Sequence, residues 1–311
     1  MTHELLAVIL GTLPDTLPDP LVVVGSGDLV AVLLPARTGF SLRNALRRQR
    51  VADAPRRMEL LETLMPFGPV MPAVPGVRLS LEATSELLAV NAPLIQTGMD
   101  RLRGKSQFQI KVTWQQDRVL HRFRDTPELG PLFAAGEVAP RQVTSAVERL
   151  SARLHAQIAD TLDEIAVECA ELPREEAMIA NTVLLVCDEA HHVLDAAVQK
   201  IDAIWPDGFR IQQIGPSPAM SFCALRVEAI GRAEQAAARR LLETPADTSL
   251  LDVQRARQAA LRAGLKPADH IRRAARIVEA ELRLSQPASQ LHLVELYGDA
   301  QSWHPTQVAV A

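Results

Sequence analysis

Aromatic residues are scarce in this sequence of 311 residues: they make up 4% of it, and Tyr297 is the one tyrosine. Proteins that bind single-stranded nucleic acid stack the bases on aromatic side chains, and they hold the phosphates with an excess of positive charge. The net charge of this chain is −4. The composition therefore argues against a nucleic-acid partner.

Cysteine is also rare, at positions 169, 187 and 223. The absence of a CxxC pair excludes the usual redox and zinc-ribbon patterns, and a disulfide framework is not expected. No stretch reaches the ~20 uninterrupted apolar residues of a membrane-spanning helix. The first residues, MTHELLAVILGTLPD, have no basic start and too short an apolar run for a signal peptide. We expect a soluble cytoplasmic protein.

One stretch resembles a nucleotide-hydrolysis site. The run VLLVCDEAHH, residues 183–192, ends in DEAH, the order found in helicase-type ATPases. Such an enzyme also needs the loop GxxxxGK[ST] between a strand and a helix, and Met99 stands where Gly104-Lys105-Ser106 would require the first glycine. The favoured interpretation is a strand end followed by a helix whose first turn Asp188 caps. A nucleotide-dependent enzyme is the alternative.

Other chemically interesting residues form no complete set. His191 and Asp195 lie one helical turn apart, but a metal site needs three or four ligands. No GxSxG elbow and no Ser/His/Asp or Cys/His arrangement is visible. We therefore predict no catalytic, cofactor-binding or metal-binding residue. Arginines at 43, 47, 48, 50, 56 and 57 form a basic patch, which is interpreted as a solvated helix face, with the binding of an acidic partner as the alternative.

Residues 1–103 are predicted to form an amino-terminal α+β domain. Short apolar runs predict strands at 4–10, 21–25 and 28–34, the last two joined in a hairpin. Helices are predicted from Ser41 to Leu64, broken or kinked near Pro55, and from Ser80 to Leu102, with a break at Pro93. The proline-rich stretch 65–77 is predicted to form neither a helix nor a central strand.

Residues 104–230 are predicted to form a second α+β domain. Its elements are a strand over 107–114, a long amphipathic helix over 141–171, a strand over 179–187, a helix over 189–204, and strands over 209–214 and 222–229 that flank a loop at 215–221. This order favours a modified ferredoxin-like sandwich with a long helix. Residues 231–311 are rich in Ala and Arg and are predicted to form a separate, mostly helical extension.

Several segments share their order and spacing with a known family. They are SGDLVAVLLP (26–35), GPVMPAVPGVRLS (68–80), LRGKSQFQIKVTW (102–114), MIANTVLLVCDE (178–189), HVLDAAVQKIDA (192–203) and GPSPAMSF (215–222). Together they resemble the GvpL/GvpF family of gas vesicle proteins. The chain departs from the family at 72–77, where an Arg-Phe-Gly-Thr-like run is missing, and at 215–220, where the aromatic residues of the loop are missing.

The resemblance implies a non-enzymatic accessory or minor structural protein of gas vesicle assembly, located at the gas vesicle in the cytoplasm. It also implies binding to the small hydrophobic shell protein GvpA, with other gas vesicle accessory proteins as further candidate partners. A soluble protein can hold such a subunit by an exposed sheet edge or an apolar groove. Candidate contact residues are Phe108, Ile110 and Val112 on strand 107–114 and Pro216, Pro218 and Met220 in the loop. The apolar stripe of helix 141–171 is a further candidate, and a generic helical adaptor acting through 231–311 is another alternative.

Overall fold

The computed structural model describes residues 2–12, 20–35, 43–135, 139–284 and 290–298, with the backbone alone for 43–53. The chain forms two compact units. Unit 1 combines residues 1–103 with 223–297, and unit 2 comprises 104–222. Unit 2 is therefore inserted in sequence between the two parts of unit 1.

The elements follow one another in this order. The first part of unit 1 contains β1 (His3–Leu10), β2 (Val22–Ser26), β3 (Leu29–Pro35), α1 (Arg43–Leu64), β4 (Val70–Pro72), β5 (Arg78–Leu79) and α2 (Leu81–Leu102). Unit 2 contains β6 (Lys105–Trp114), α3 (Gln116–Arg122), α4 (Gly130–Ala134), α5 (Pro140–Asp163), β7 (Glu168–Glu171), β8 (Met178–Cys187), α6 (His191–Asp202) and β9 (Phe209–Ser217). The second part of unit 1 contains β10 (Ala224–Gly231), α7 (Arg232–Leu242), α8 (Leu250–Ala263), α9 (Ala268–Arg283) and β11 (Gln290–Tyr297).

The first sheet of unit 1 has the strand order β2-β3-β1-β4, and β5 also pairs with β1. The predicted hairpin between β2 and β3 is confirmed: Ser26 lies opposite Leu29, and Gly27 turns the chain with a φ of 61° that glycine adopts readily. The proline-rich stretch does contribute a strand, β4, which lies at the edge of the sheet. Pro72 is tolerated there because an edge strand has neighbours on one side only.

The break predicted at Pro93 is wrong, because α2 runs through it, and α1 likewise runs through Pro55 without a break. Both prolines lie on the exposed side of their helices, where water can bond the carbonyl group that each proline leaves without an N–H donor. The predicted start of α2 is confirmed, since the Ser80 hydroxyl accepts a hydrogen bond from Ala83 N at 3.1 Å. The predicted cap at Ser41 lies outside the described residues.

The carboxy-terminal segment is part of unit 1. β10 and β11 pair antiparallel over eight positions, and Val74 N donates to Leu225 O at 2.8 Å, which joins β10 to the residues after β4. The separate extension predicted for 231–311 is therefore a wrong description of 231–297. β11 was not foreseen, and the strand predicted at 222–229 belongs to unit 1 and not to the second domain.

A buried asparagine ties α2 to β11. The Asn91 side chain donates from Nδ2 to Leu87 O at 2.8 Å and to His292 O at 3.0 Å, and its Oδ1 accepts from Val294 N at 3.0 Å. Around it, the apolar side chains of α7, α8, α9 and β11 share one core cluster with Val90 of α2. The helices of the carboxy-terminal segment thus bury their apolar faces within unit 1.

Unit 2 has the predicted ferredoxin-like topology. Its sheet order is β7-β8-β6-β9, every pair is antiparallel, and α5 and α6 supply the two helices of a β-α-β-β-α-β unit. The long helix is shorter than predicted, since α5 ends at Asp163 and β7 follows. Ile165 and Cys169 continue the spacing of the apolar stripe beyond the helix end, which explains the error.

Candidate partner-binding surface

The strand predicted to offer an exposed edge lies inside the sheet of unit 2. β6 pairs with β8 on one side and with β9 on the other. Phe108 is 3% exposed, and Ile110 and Val112 are fully buried in the core of the unit. These three residues therefore do not present a surface to a partner. The stripe of α5 is also core, because Leu150, Leu154 and the apolar residues in register with them are buried.

The three loop residues predicted as a second contact region differ in their exposure. Pro216 is exposed and lies in β9, whose end reaches Ser217. Pro218 is buried, and Met220 is 6% exposed. The segment is held by polar contacts: Ser221 N donates to Gln107 Oε1 at 2.9 Å, and the Ser217 hydroxyl donates to Gln107 O at 3.2 Å. Of the three predicted loop residues, Pro216 alone is accessible.

The outer side of β9 is the surface that sequence reasoning missed. β9 is the last strand of its sheet, and no strand in the described ranges pairs with its outer side. Residues 212–216 are all exposed, and the side chain of Ile214 stands out as an apolar group that is 39% exposed. An edge strand of this kind presents backbone N–H and C=O groups to an incoming strand.

The alternation of an antiparallel ladder assigns these backbone groups. Gln115 N donates to Gly208 O at 3.1 Å, and residues at even steps from Gly208 therefore point their backbone groups towards β6. Ile211 and Gln213 lie at odd steps, so their N–H and C=O groups point outwards. The edge thus offers hydrogen-bonding groups at alternate positions.

The DEAH-like stretch adopts a strand end followed by a turn of 3-10 helix at Asp188–Ala190, and α6 begins at His191. Asp188 does not cap a helix as predicted, since no side-chain cap is present at either start. Instead, its Oδ1 accepts a hydrogen bond from the Ser106 hydroxyl at 2.6 Å. Glu189 is exposed. The carboxylate of Asp188 therefore joins the end of β8 to the start of β6.

In the described part of the chain, no group of three or more His, Cys, Asp or Glu side chains is placed so that it could hold a metal ion. His191 Nε2 lies 3.6 Å from Asp188 Oδ1, and its ring packs edge-on against Phe108 with centroids 4.9 Å apart. Burial, with help from Asp163, raises the pKa of the Cys169 thiol to about 12. That thiol therefore stays protonated at neutral pH and is a poor nucleophile.

We expect Asp188→Ala and Glu189→Ala to change stability only slightly and to leave no ATPase activity to lose. Asp188→Ala should cost about 1 kcal/mol, because the Ser106 hydroxyl loses its acceptor, and Glu189→Ala should stay within about 0.5 kcal/mol. Urea unfolding measures both, with Ser106→Ala as the control for the shared hydrogen bond. Magnesium-dependent ATP turnover that disappears in Glu189→Gln would contradict this interpretation.

Comparison with known proteins gives the family. A family model described as "Gas vesicle synthesis protein GvpL/GvpF" matches residues 15–224, more than half of the chain. The chain belongs to the GvpL/GvpF family. The match includes β9 and all the other elements of unit 2, and it ends at the first residue of β10. No curated protein matches the chain significantly.

Two solved structures share the fold of this family member. They are the gas vesicle protein GvpF from Anabaena sp. PCC7120, with a TM-score of 0.53 and 17% identity, and GvpF from Microcystis aeruginosa, with a TM-score of 0.51 and 19% identity. Each comparison covers 70% of this chain and 96% of the other chain. The likeness supports the α+β class of the fold. In the described ranges, no helix is both long and apolar enough to cross a membrane.

Proposed function

We propose that this protein is an assembly factor of the gas vesicle that binds the hydrophobic shell subunit GvpA, or a close relative of it, before the subunit enters the shell. Membership of a family of gas vesicle synthesis proteins carries the proposal. The place of action is then the growing gas vesicle in the cytoplasm, and no catalysis is required. Other accessory proteins of the vesicle are further partners under the same proposal.

The binding mode that we propose is the addition of a strand of the shell subunit to β9. The outward backbone groups of Ile211 and Gln213 give the incoming strand hydrogen bonds, and the exposed Ile214 with the neighbouring Pro216 gives it an apolar contact. Hydrogen bonds between backbone groups form with strands of many different sequences, including the strand of an apolar subunit. An edge with one exposed isoleucine also stays soluble when the partner is absent.

The test is capture of purified GvpA-like subunit from the same organism by this protein on a resin. Gln213→Pro removes an outward N–H group and places a ring on the open side of β9, so we expect capture to fall about tenfold or more. Gln213→Ala is the matched control and should bind as the wild type does. Capture that is equal in all three proteins and well above an unrelated soluble protein would exclude β9 while keeping the assembly role.

A pair of lysine substitutions tests the apolar contact. Ile214→Lys places a charge where the shell strand would lie, and we expect it to weaken capture about as strongly as Gln213→Pro. Gln157→Lys is the control, since it adds the same charge at an exposed position of α5 and not on β9. If the wild-type protein itself captures no shell subunit above the unrelated control, the proposed function is wrong.

A further inference from the structure

Unit 2 carries a strongly acidic segment at the end of α5. Residues 160–176, called the acidic segment here, contain seven acidic side chains and one basic one, Arg174. The acidic residues are Asp160, Asp163, Glu164, Glu168, Glu171, Glu175 and Glu176. Val167 lies in the middle of the segment and is 50% exposed. An apolar side chain is thus presented among carboxylates.

The carboxylates of Asp160, Asp163 and Glu164 do not stabilise α5. They lie in or next to the last turn of α5, which contains no basic residue. Negative charge at the carboxyl end of a helix opposes the helix dipole and costs about 0.3–1 kcal/mol per charge. One partial compensation is the pair between Glu164 and Lys200, whose charged atoms are 3.7 Å apart and whose side chains are 67% and 68% exposed. An ion pair so exposed is worth little.

Unit 1 carries the opposite charge on α8 and the turn after it. Residues 253–268, called the basic segment here, contain Arg255, Arg257, Arg262 and Lys266 and no acidic residue. Val253 is the buried residue of α8, so most of this helix is a surface. Leu265 follows the left-handed turn at Gly264 and is 87% exposed, more than any other large apolar side chain in the described ranges.

The known contacts of the two segments stay within their own units. Arg255 lies 3.5 Å from Asp252, and Lys266 Nζ donates to Leu241 O at 3.2 Å. In the acidic segment, Glu171 Oε1 lies 2.7 Å from His155 Nε2. Arg262, Glu175 and Glu176 are exposed.

We propose that the basic segment of one copy of this protein binds the acidic segment of a second copy. The charges are complementary, and each segment holds one exposed apolar residue, Leu265 or Val167, which the contact would remove from water. Nucleic acid is a poorer fit, because the basic segment has no aromatic residue and the chain is net negative.

The two surfaces differ, so the contact is heterologous. Each copy that uses its basic segment still has its acidic segment available for another copy, and the contact therefore builds chains or closed rings and does not stop at a pair. Complementary charges bring the copies together quickly but weakly, and salt weakens the contact further. The proposal is independent of shell-protein binding, since it involves neither β9 nor the subunit.

Analytical ultracentrifugation of the full-length protein tests the proposal. At about 100 µM protein and an ionic strength of about 0.05 M, we expect the average mass to exceed that of a 34.0 kDa monomer at least twofold. The mass should return to that of the monomer at about 0.5 M salt. Charge reversals at two positions, Arg255→Glu with Arg262→Glu, remove the net positive charge of the basic segment, and Asp160→Lys with Glu164→Lys remove most of the net negative charge of the acidic segment. Each of these two reversed proteins should be a monomer at low salt.

Mixing the two reversed proteins gives the decisive result. Each retains one native segment that fits the other's native segment, so the mixture should associate although neither protein does alone. Glu59→Lys with Glu62→Lys makes the same change in net charge as Asp160→Lys with Glu164→Lys, but on exposed positions of α1, and this protein should associate as the wild type does.

Thermal melting separates the loss of association from unfolding. Asp160→Lys with Glu164→Lys should melt at the wild-type temperature or slightly above it, because positive charge suits the carboxyl end of α5. A wild-type protein that is monomeric at low salt, a mixture that stays monomeric, or a control on α1 that abolishes association equally would each overturn the proposal. Capture of shell subunit by the reversed proteins should be unchanged, so the two proposals fail or stand separately.

Discussion

A chain that ends at Ile230 is expected to lose the cooperative fold of unit 1. The truncation removes β11, which pairs with β10 over eight positions, and removes the helices that share a core with Val90. It also leaves the buried Asn91 without His292 O and Val294 N as partners. The lost burial and hydrogen bonds exceed the ~5–15 kcal/mol by which a typical domain is stable, so we expect aggregation or a non-cooperative unfolding of unit 1.

Tryptophan fluorescence and circular dichroism together measure this effect. A chain that ends at Gly298 contains two tryptophans, Trp114 and Trp205, and both lie in the core of unit 2. Fluorescence therefore follows unit 2 alone, whereas far-ultraviolet circular dichroism follows both units. The chain ending at Gly298 is the control and should keep full ellipticity and a cooperative melt. A chain ending at Ile230 that matches the control in both signals would contradict the placement of 231–297 in unit 1.

Arg57→Ala is expected to destabilise unit 1 by about 3 kcal/mol. The guanidinium donates from Nη1 to Glu4 Oε1 at 2.9 Å, and its Nη2 lies 3.2 Å from Leu5 O, 3.1 Å from Leu6 O and 2.7 Å from Ala73 O. Burial lowers the pKa of Arg57, and Glu4 partly offsets this shift. Removal of the side chain leaves a half-buried carboxylate and carbonyl groups without their donor.

The neighbouring residue supplies a matched control for Arg57→Ala. Arg56 is exposed on the same helix, and Arg56→Ala should change the free energy of unfolding by less than about 0.5 kcal/mol. Urea unfolding followed by circular dichroism compares the two variants. Equal stability of the two would show that Arg57 does not hold α1 to β1. The predicted solvated basic face is thus wrong for Arg57, and the side chains of Arg43, Arg47, Arg48 and Arg50 lie outside the described residues.

Local patterns predicted most of unit 2 in the right order, namely β6, α5, β8, α6 and β9, because each of these elements has its own periodicity. They missed the short helices α3 and α4 and took β7 as the end of the long helix. β11 escaped prediction because its partner, β10, is separated from it by the three helices α7, α8 and α9, whose Ala and Arg content dominates that part of the sequence. Leu225 pairs with Leu296 across the two strands although the two residues are far apart in sequence. A pattern in a short window of neighbouring residues cannot reveal such a pairing.

The candidate partner-binding surface could not be located from local sequence patterns either. Phe108, Ile110 and Val112 show the alternation of a strand with one buried face, and the structure confirms that periodicity. Alternation does not tell whether a strand is central or at an edge, since both carry the same pattern. The position of β6 between β8 and β9 decided that its apolar face is core. β9 was recognised as a strand, but its exposed edge follows from sheet order alone.

The insertion of unit 2 within unit 1 sets the order in which the protein can fold during synthesis. β1, β2 and β3 leave the ribosome first, but β11, the last strand of their unit, ends nearly two hundred residues after Arg103. At the usual rates of elongation this delay lasts about 10–40 s. Unit 2 is complete within that interval, while the amino-terminal strands wait with apolar surface exposed. We therefore expect chaperones to bind the amino-terminal part more than unit 2 during each round of translation.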